Sequence, residues 1–111
     1  YRKNFDKFLK LMKKGKVGPD SQIDLHGHSL LEAKSKLKSF IIDSYNNERR
    51  NLLVITGKGL NKTGLLKKEV PLWINENEIK NFIISCTSAP RSFGGEGALI
   101  IRIKNKNKTS I

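Results

Sequence analysis

Between Ile23 and Thr56 the chain alternates in a way that leaves few folds open to it. A short run with every second residue apolar, IDLHG, leads into a long helix-spaced stretch, and then into LLVIT, which is apolar on both faces. Two neighbouring strands joined through a helix run parallel, and such crossovers are right-handed almost without exception. In IDLHG, Ile23 and Leu25 point to one face of a strand, Asp24 and His26 to the other, and Gly27 ends it. Ser29 with Glu32 reads as a capping box, after which Leu30, Ala33, Leu37, Phe40, Ile41 and Tyr45 recur at helical spacing down to the polar NNERRN. LLVIT, residues 52–56, suits a central strand, and GKG follows it at once.

The flanking segments complete the pattern. In YRKNFDKFLKLMKK, Phe5, Phe8, Leu9 and Met12 make the apolar stripe of a short helix that packs on the domain and is broken by GKVGPD. Residues 64–76 read as a second main helix with Leu65, Leu66, Val70, Trp73 and Ile74 inward and a kink at Pro71. IKNFIISCT is a third strand, APRSFGGEG a glycine-rich loop and ALIIRIK a fourth strand. The expected fold is therefore α/β, a two-layer α+β sandwich of order βαβαββ. Its four-stranded mixed sheet carries both main helices on one face, with an N-terminal helix in addition. Residues 1–17 form that helix and a linker, 18–104 the domain and 105–111 a basic flexible tail. Along the fourth strand Leu99, Ile101 and Ile103 face the helices, which leaves Arg102 and Lys104 on the face of Asp24 and His26.

With 111 residues, 37% of them hydrophobic, the chain can enclose one modest core and no more. No run has the length of a membrane-spanning helix, and the start at Tyr1 lacks the layout of a secretion signal, so a soluble cytoplasmic piece of a longer protein is expected, with no membrane partner. The single cysteine, Cys86, lies in an apolar run as a small buried thiol would, which removes disulfide frameworks and thiolate metal sites. Nothing suggests a large apolar interface, so a monomer is expected. Twenty-two Lys and Arg against ten Asp and Glu give a net charge of +12, which attracts polyanions. Abundant Lys, Asn and Ile beside only five arginines is also what an AT-rich genome produces, so charge alone decides nothing.

Topology adds more. Parallel strands bring IDLHG and ITGKG out at one carboxyl edge, where open α/β sheets bind ligands. Asp24 can orient His26 or share a substrate with it, and a histidine held by an acid is a proton carrier suited to neutral pH. Gly57, Lys58 and Gly59 supply backbone N–H groups, close approach and one cation, as a phosphate requires. Each group also has a structural use: Asp24 in a turn, His26 at a strand end, Gly57 and Gly59 in a tight bend, Lys58 as a solvated charge. Trp73 is core by its spacing, and His28 lies exposed beside the helix start with no assigned role. TGKGLNKTG lacks the glycine spacing of a nucleotide-triphosphate loop, and metal ligands at zinc spacing are missing.

Taken together and in order, IDLHGHSLLEA, VITGKG, LLKKEVPLWI and APRSFGGEGALIIRI resemble the Smr (small MutS-related) domain over roughly residues 18–104, and KFLKLMKKGKVGPD resembles the helix and linker preceding it in stand-alone bacterial members. The resemblance implies a sandwich like the C-terminal domain of a translation initiation factor, and an endonuclease acting on RNA or DNA. Some relatives cleave messenger RNA when ribosomes collide; others are linked to DNA nicking. Family roles fall on Asp24 and His26 and on Gly57, Lys58 and Gly59. Where relatives often carry a histidine before the glycine pair of the third motif, Phe93 stands here, so that loop keeps only Arg91 for a phosphate contact. The reading is phosphodiester cleavage, RNA more than DNA and with the ribosome a possible partner. His26 is its acid or base, Asp24 holds His26, and Lys58, Arg91, Arg102 and Lys104 meet phosphates. RNA cleavage by the ribose 2′-hydroxyl requires no metal, whereas water attack on DNA favours a divalent cation at Asp24. Two other readings compete with it: a nucleic-acid or ribosome binder without turnover, and a protein-interaction module that uses the N-terminal helix.

Overall fold

The computed structural model describes residues 2–57 and 64–107 of the chain. Helix α1 (Arg2–Lys13) leads through a linker to strand β1 (Ser21–Asp24), helix α2 (Leu30–Asn46) and strand β2 (Asn51–Ile55). Helices α3 (Gly64–Ile74) and α4 (Asn77–Lys80), strand β3 (Ile83–Ser88), two single 3-10 turns (Arg91–Phe93 and Gly95–Gly97) and strand β4 (Ala98–Ile103) complete it. The four strands form one sheet in the order β1-β2-β4-β3. β1 and β2 are parallel, in register from Ser21 opposite Leu52 to Asp24 opposite Ile55. The other two pairings are antiparallel, with Asn51 opposite Arg102 at one end and Ile55 opposite Ala98 at the other. The mixed α/β sandwich expected from the sequence is thus what forms.

Strand alternation sorts the core into two layers. Leu52, Val54, Ile101 and Ile103 face α2 and α3, where Leu37, Ile41, Val70 and Trp73 close over them. The opposite face is not left open: Phe5 and Met12 of α1 pack on Ile100, with Phe93 wedged beside them. Phe93 also touches the cluster of Leu53, Ala89 and Ala98, so it is a packing residue between α1 and the sheet. Helix α2 begins where the capping box placed it. Ser29 Oγ accepts the Glu32 N–H at 3.2 Å and donates to Glu32 Oε1 at 2.9 Å, a cap of the kind that stabilises a helix by about 1 kcal/mol.

Helix α3 runs through Pro71 as one element; the proline is exposed, so the carbonyl one turn earlier that loses its donor lies on the solvent side. Three expectations need correction. Leu65, expected inward, is 52% exposed. Ile79 and Lys80 belong to α4 and not to the third strand, because burying Ile79 beneath the sheet outweighs its β propensity. Cys86 is exposed on the edge strand β3, although crowding about its sulfur pushes the thiol up to about 11 and keeps it protonated at neutral pH.

Two polar contacts fix α1 and the linker. Asp20 Oδ2 accepts the N–H groups of Arg50 and Asn51 at 2.9 and 2.8 Å, which pins the start of β2. Arg102 donates from Nε to Asn51 Oδ1 at 3.0 Å, and its guanidinium lies 5.5 and 5.7 Å from the ring centres of Phe5 and Phe8. Arg102→Ala removes this cation–π contact and leaves the Asn51 amide short of a donor. A loss of about 1–2 kcal/mol is expected in urea unfolding, with α1 becoming the first site of proteolysis.

Candidate active site

Strand β1 stops at Asp24, two residues earlier than the alternation suggests. Leu25 still donates its N–H to Ile55 O at 2.8 Å, but the chain then turns, closed by the His28 N–H on Leu25 O at 3.2 Å. Gly27 sits in that turn at φ +83°, a conformation that side chains disfavour. His26 is therefore a turn residue, folded back on the strand end. Asp24 Oδ1 accepts both the His26 backbone N–H at 3.0 Å and the ring Nδ1 at 2.7 Å. Facing a carboxylate, Nδ1 is assigned the proton, and Nε2 is left with its lone pair outward.

This pair is not buried: the side chains of His26 and Asp24 are 68% and 48% exposed. Partial desolvation raises the Asp24 carboxyl. The ring and backbone hydrogen bonds from His26, helped by the charges of His26 and His28, outweigh it and hold the group below its ordinary range. No described residue occupies Asp24 Oδ2.

The second motif arrives from β2. The N–H groups of Thr56 and Gly57 both donate to Gly97 O, at 2.9 and 3.0 Å, and Thr56 Oγ1 donates to Gly57 O at 3.0 Å. One carbonyl of the third motif thus holds the second in place. The same bonds correct an expectation, because the Gly57 N–H is spent on Gly97 and is not presented to a phosphate. Gly57 has φ +83°, and a Cβ built there would stand 3.6 Å from that of His26, so the two motifs touch. Gly94 is required more strictly, since at φ +116° a Cβ would meet that of Ala98 at 2.9 Å.

The structure brings Asp24, His26 and Gly57 together, with Arg91 exposed on the loop at the same end of the sheet. Arg102 and Lys104 are elsewhere. β4 runs antiparallel to β2, which sets Arg102 opposite Asn51, about 13 Å of strand away from Ile55, and Lys104 farther still. Lys58 and Gly59 lie outside the described residues.

Beside His26 opens a cleft of about 360 Å³ lined by His28, Ser29, Thr56, Leu65 and Leu66 among others. A larger hollow of about 600 Å³ lies along β3, around Pro71, Lys80, Cys86 and Lys104, but holds no acid–histidine pair. His28, expected to be exposed, is half-buried on the wall of this cleft, and Leu65 borders it too; for His28 the available signal was that a residue directly preceding the cap of α2 must sit at the carboxyl edge. Among the described residues no three of His, Cys, Asp or Glu are grouped to hold a metal.

The family model of the Smr domain matches residues 23–104. The chain belongs to the Smr domain family. Its relatives include proteins named ribosome rescue factor SmrB: one from Buchnera aphidicola subsp. Schizaphis graminum is 32% identical over 92% of this chain and 54% of its own length, and one from Shewanella sp. (strain ANA-3) is 34% identical over 86% and 51%. The chain spans about half the length of these curated relatives. Among solved structures, the Smr domain of Thermus thermophilus MutS2 superposes with a TM-score of 0.66 at 19% identity, covering 76% of this chain and 98% of that one. YdaL, a stand-alone small MutS-related protein from Escherichia coli, gives 0.72 at 23% identity, covering 87% and 74%. Both likenesses confirm the Smr fold. The matched range opens at β1, so both Asp24 and His26 fall at its very start.

The Asp24 carboxyl gives this Smr domain a measurable signature. Because its folded value is depressed, the stability it contributes is present above the ordinary carboxylate range and is lost as pH falls through the depressed value. An NMR pH titration should place the Asp24 midpoint below that of an unstructured aspartate, and His26→Ala should move it back up.

Proposed function

We propose that this Smr domain is an endonuclease that cleaves phosphodiester bonds, RNA in preference to DNA. The observation that carries the reading is the 2.7 Å contact between Asp24 Oδ1 and His26 Nδ1, which leaves Nε2 as an outward base at the rim of a cleft. In the proposed reaction His26 Nε2 takes the proton of a ribose 2′-hydroxyl, the 2′-oxygen attacks phosphorus, and the bond to the 5′-oxygen breaks as that oxygen takes a proton from water. Products are a 2′,3′-cyclic phosphate and a 5′-hydroxyl. Asp24 fixes the tautomer and stabilises the imidazolium that forms. Arg91, with Lys58 and Gly59 by their sequence positions, serves the phosphate. With DNA, where water must attack, a divalent cation at Asp24 Oδ2, which no described residue occupies, would activate that water.

The relatives named ribosome rescue factors support messenger RNA at stalled ribosomes as the setting, and with it the cytoplasm. The net charge of +12 fits either substrate. A non-catalytic binder is the second reading, favoured by one observation: Lys7, Lys10, Lys13, Lys14 and Lys16 are exposed and have no ion-pair partner among the described residues. Such lysines give affinity that falls steeply with salt.

Labelled single-stranded RNA and supercoiled DNA, each with and without chelator, separate these readings. Cleavage of RNA that survives chelation and leaves cyclic phosphate ends is expected. His26→Ala should lower the rate about 10²- to 10⁴-fold, and Asp24→Asn roughly tenfold or more. Full cleavage by the His26→Ala protein overturns the assignment, and salt-sensitive binding without products favours the binder.

A further inference from the structure

The described lining of the cleft beside His26 offers little to the phosphate that the second motif suggests. No described lysine or arginine lines it, and the Gly57 amide on its wall is bonded to Gly97. Its side-chain polar groups are also largely committed. Ser29 Oγ is engaged with Glu32, Thr56 Oγ1 donates to Gly57 O, and Nδ1 of His26 is held by Asp24. What faces the space is the half-buried His28, the free edge of the His26 ring, and the apolar surface of Leu65 and Leu66. Leu65, on the first turn of α3, is 52% exposed where it borders this space.

A space of about 360 Å³ with apolar walls and imidazole edges suits a flat heterocycle that carries a few hydrogen-bonding atoms on its rim. We propose that it seats one unstacked nucleobase, that of a nucleotide bordering the scissile phosphate. The base packs against Leu65, its edge meets the His28 ring, and its backbone is thereby led past His26 Nε2. This deepens the proposed function and rests on it for the word scissile. A base can enter only after leaving its stack and its pair, so the cleft selects single strands, loops and bulges over duplex. Phosphate contacts elsewhere supply affinity without choosing between them.

The test reads binding apart from cleavage. The unaltered protein is titrated with single-stranded decamers of 2′-O-methyl RNA, which lack the attacking hydroxyl of the proposed reaction, carrying one 2-aminopurine moved along the strand. One position should change its emission several-fold on binding, and the same strand annealed to its complement should not respond. Adding Leu65→Ala should abolish that response and weaken binding roughly five- to tenfold, while Leu65→Met, which keeps the bulk, should retain both. Equal responses at every position, a response indifferent to Leu65→Ala, or duplex bound as tightly as single strand each overturns the proposal. With unmethylated RNA, an abasic residue at the responding position should lower kcat/KM about tenfold; unchanged cleavage overturns it too. A protein that passes the binding tests but cuts no nucleic acid keeps the cleft and loses the nuclease reading, so the two fail separately.

Discussion

The parallel pairing of β1 with β2 is the constraint on which the site depends. Because Asp24 lies opposite Ile55, both strands end at the same level, and the turns that follow them must meet. The crossover helix fixes that level through its cap: Ser29 stops the turn after His26 and starts α2 within three residues, so His26 has nowhere to go except back over the strand end. Antiparallel pairing between these strands would put Gly57 at the far end of the sheet. The third motif is drawn in by a different route, since β4 begins opposite Ile55 and the carbonyl just before it, that of Gly97, reaches two amides of the second motif.

The same antiparallel β4 explains what is not in the site. Its carboxyl end lies at the amino end of β2, where Arg102 meets Asn51 and the rings of Phe5 and Phe8. Basic character in a strand says nothing about which end of the sheet it occupies. Here it anchors a helix: α1 covers Ile100, Phe93 bridges from that contact to Leu53 and Ala98, and the lysines of α1 point outward from it. A positively charged outer layer is thus built on an apolar seam whose polar edge is Arg102.

Fold and motif edges differed in how readable they were. The capping box, the apolar β2 and the inward set of Leu99, Ile101 and Ile103 were legible because each rests on a local period or a side-chain hydrogen bond. The misreadings are those that only tertiary contacts decide. Ile79 looks like strand by propensity but is buried in a short helix, and Leu65 looks inward by spacing but borders a cleft. The Gly57 amide looks available until the partner forty residues onward is known. Asp24 and His26 were legible as a pair, but the turn that joins them was not, because alternation carries no sign of where a strand stops pairing.

The energetics of that pair bear on its purpose. An ion pair or charged hydrogen bond whose partners are roughly half and two-thirds exposed contributes at most about 1 kcal/mol, often less, because water solvates both groups almost as well as they solvate each other. Ordering the two side chains takes back part of that gain. The core, by contrast, holds Leu37, Ile41, Val54 and Ile101 fully buried, each able to contribute more than the whole pair. Stability is therefore a weak reason for placing a carboxylate and an imidazole 2.7 Å apart at the lip of a cleft. The arrangement makes sense for what exposure permits: a ring held in one tautomer, its second nitrogen reachable by something that arrives from solvent.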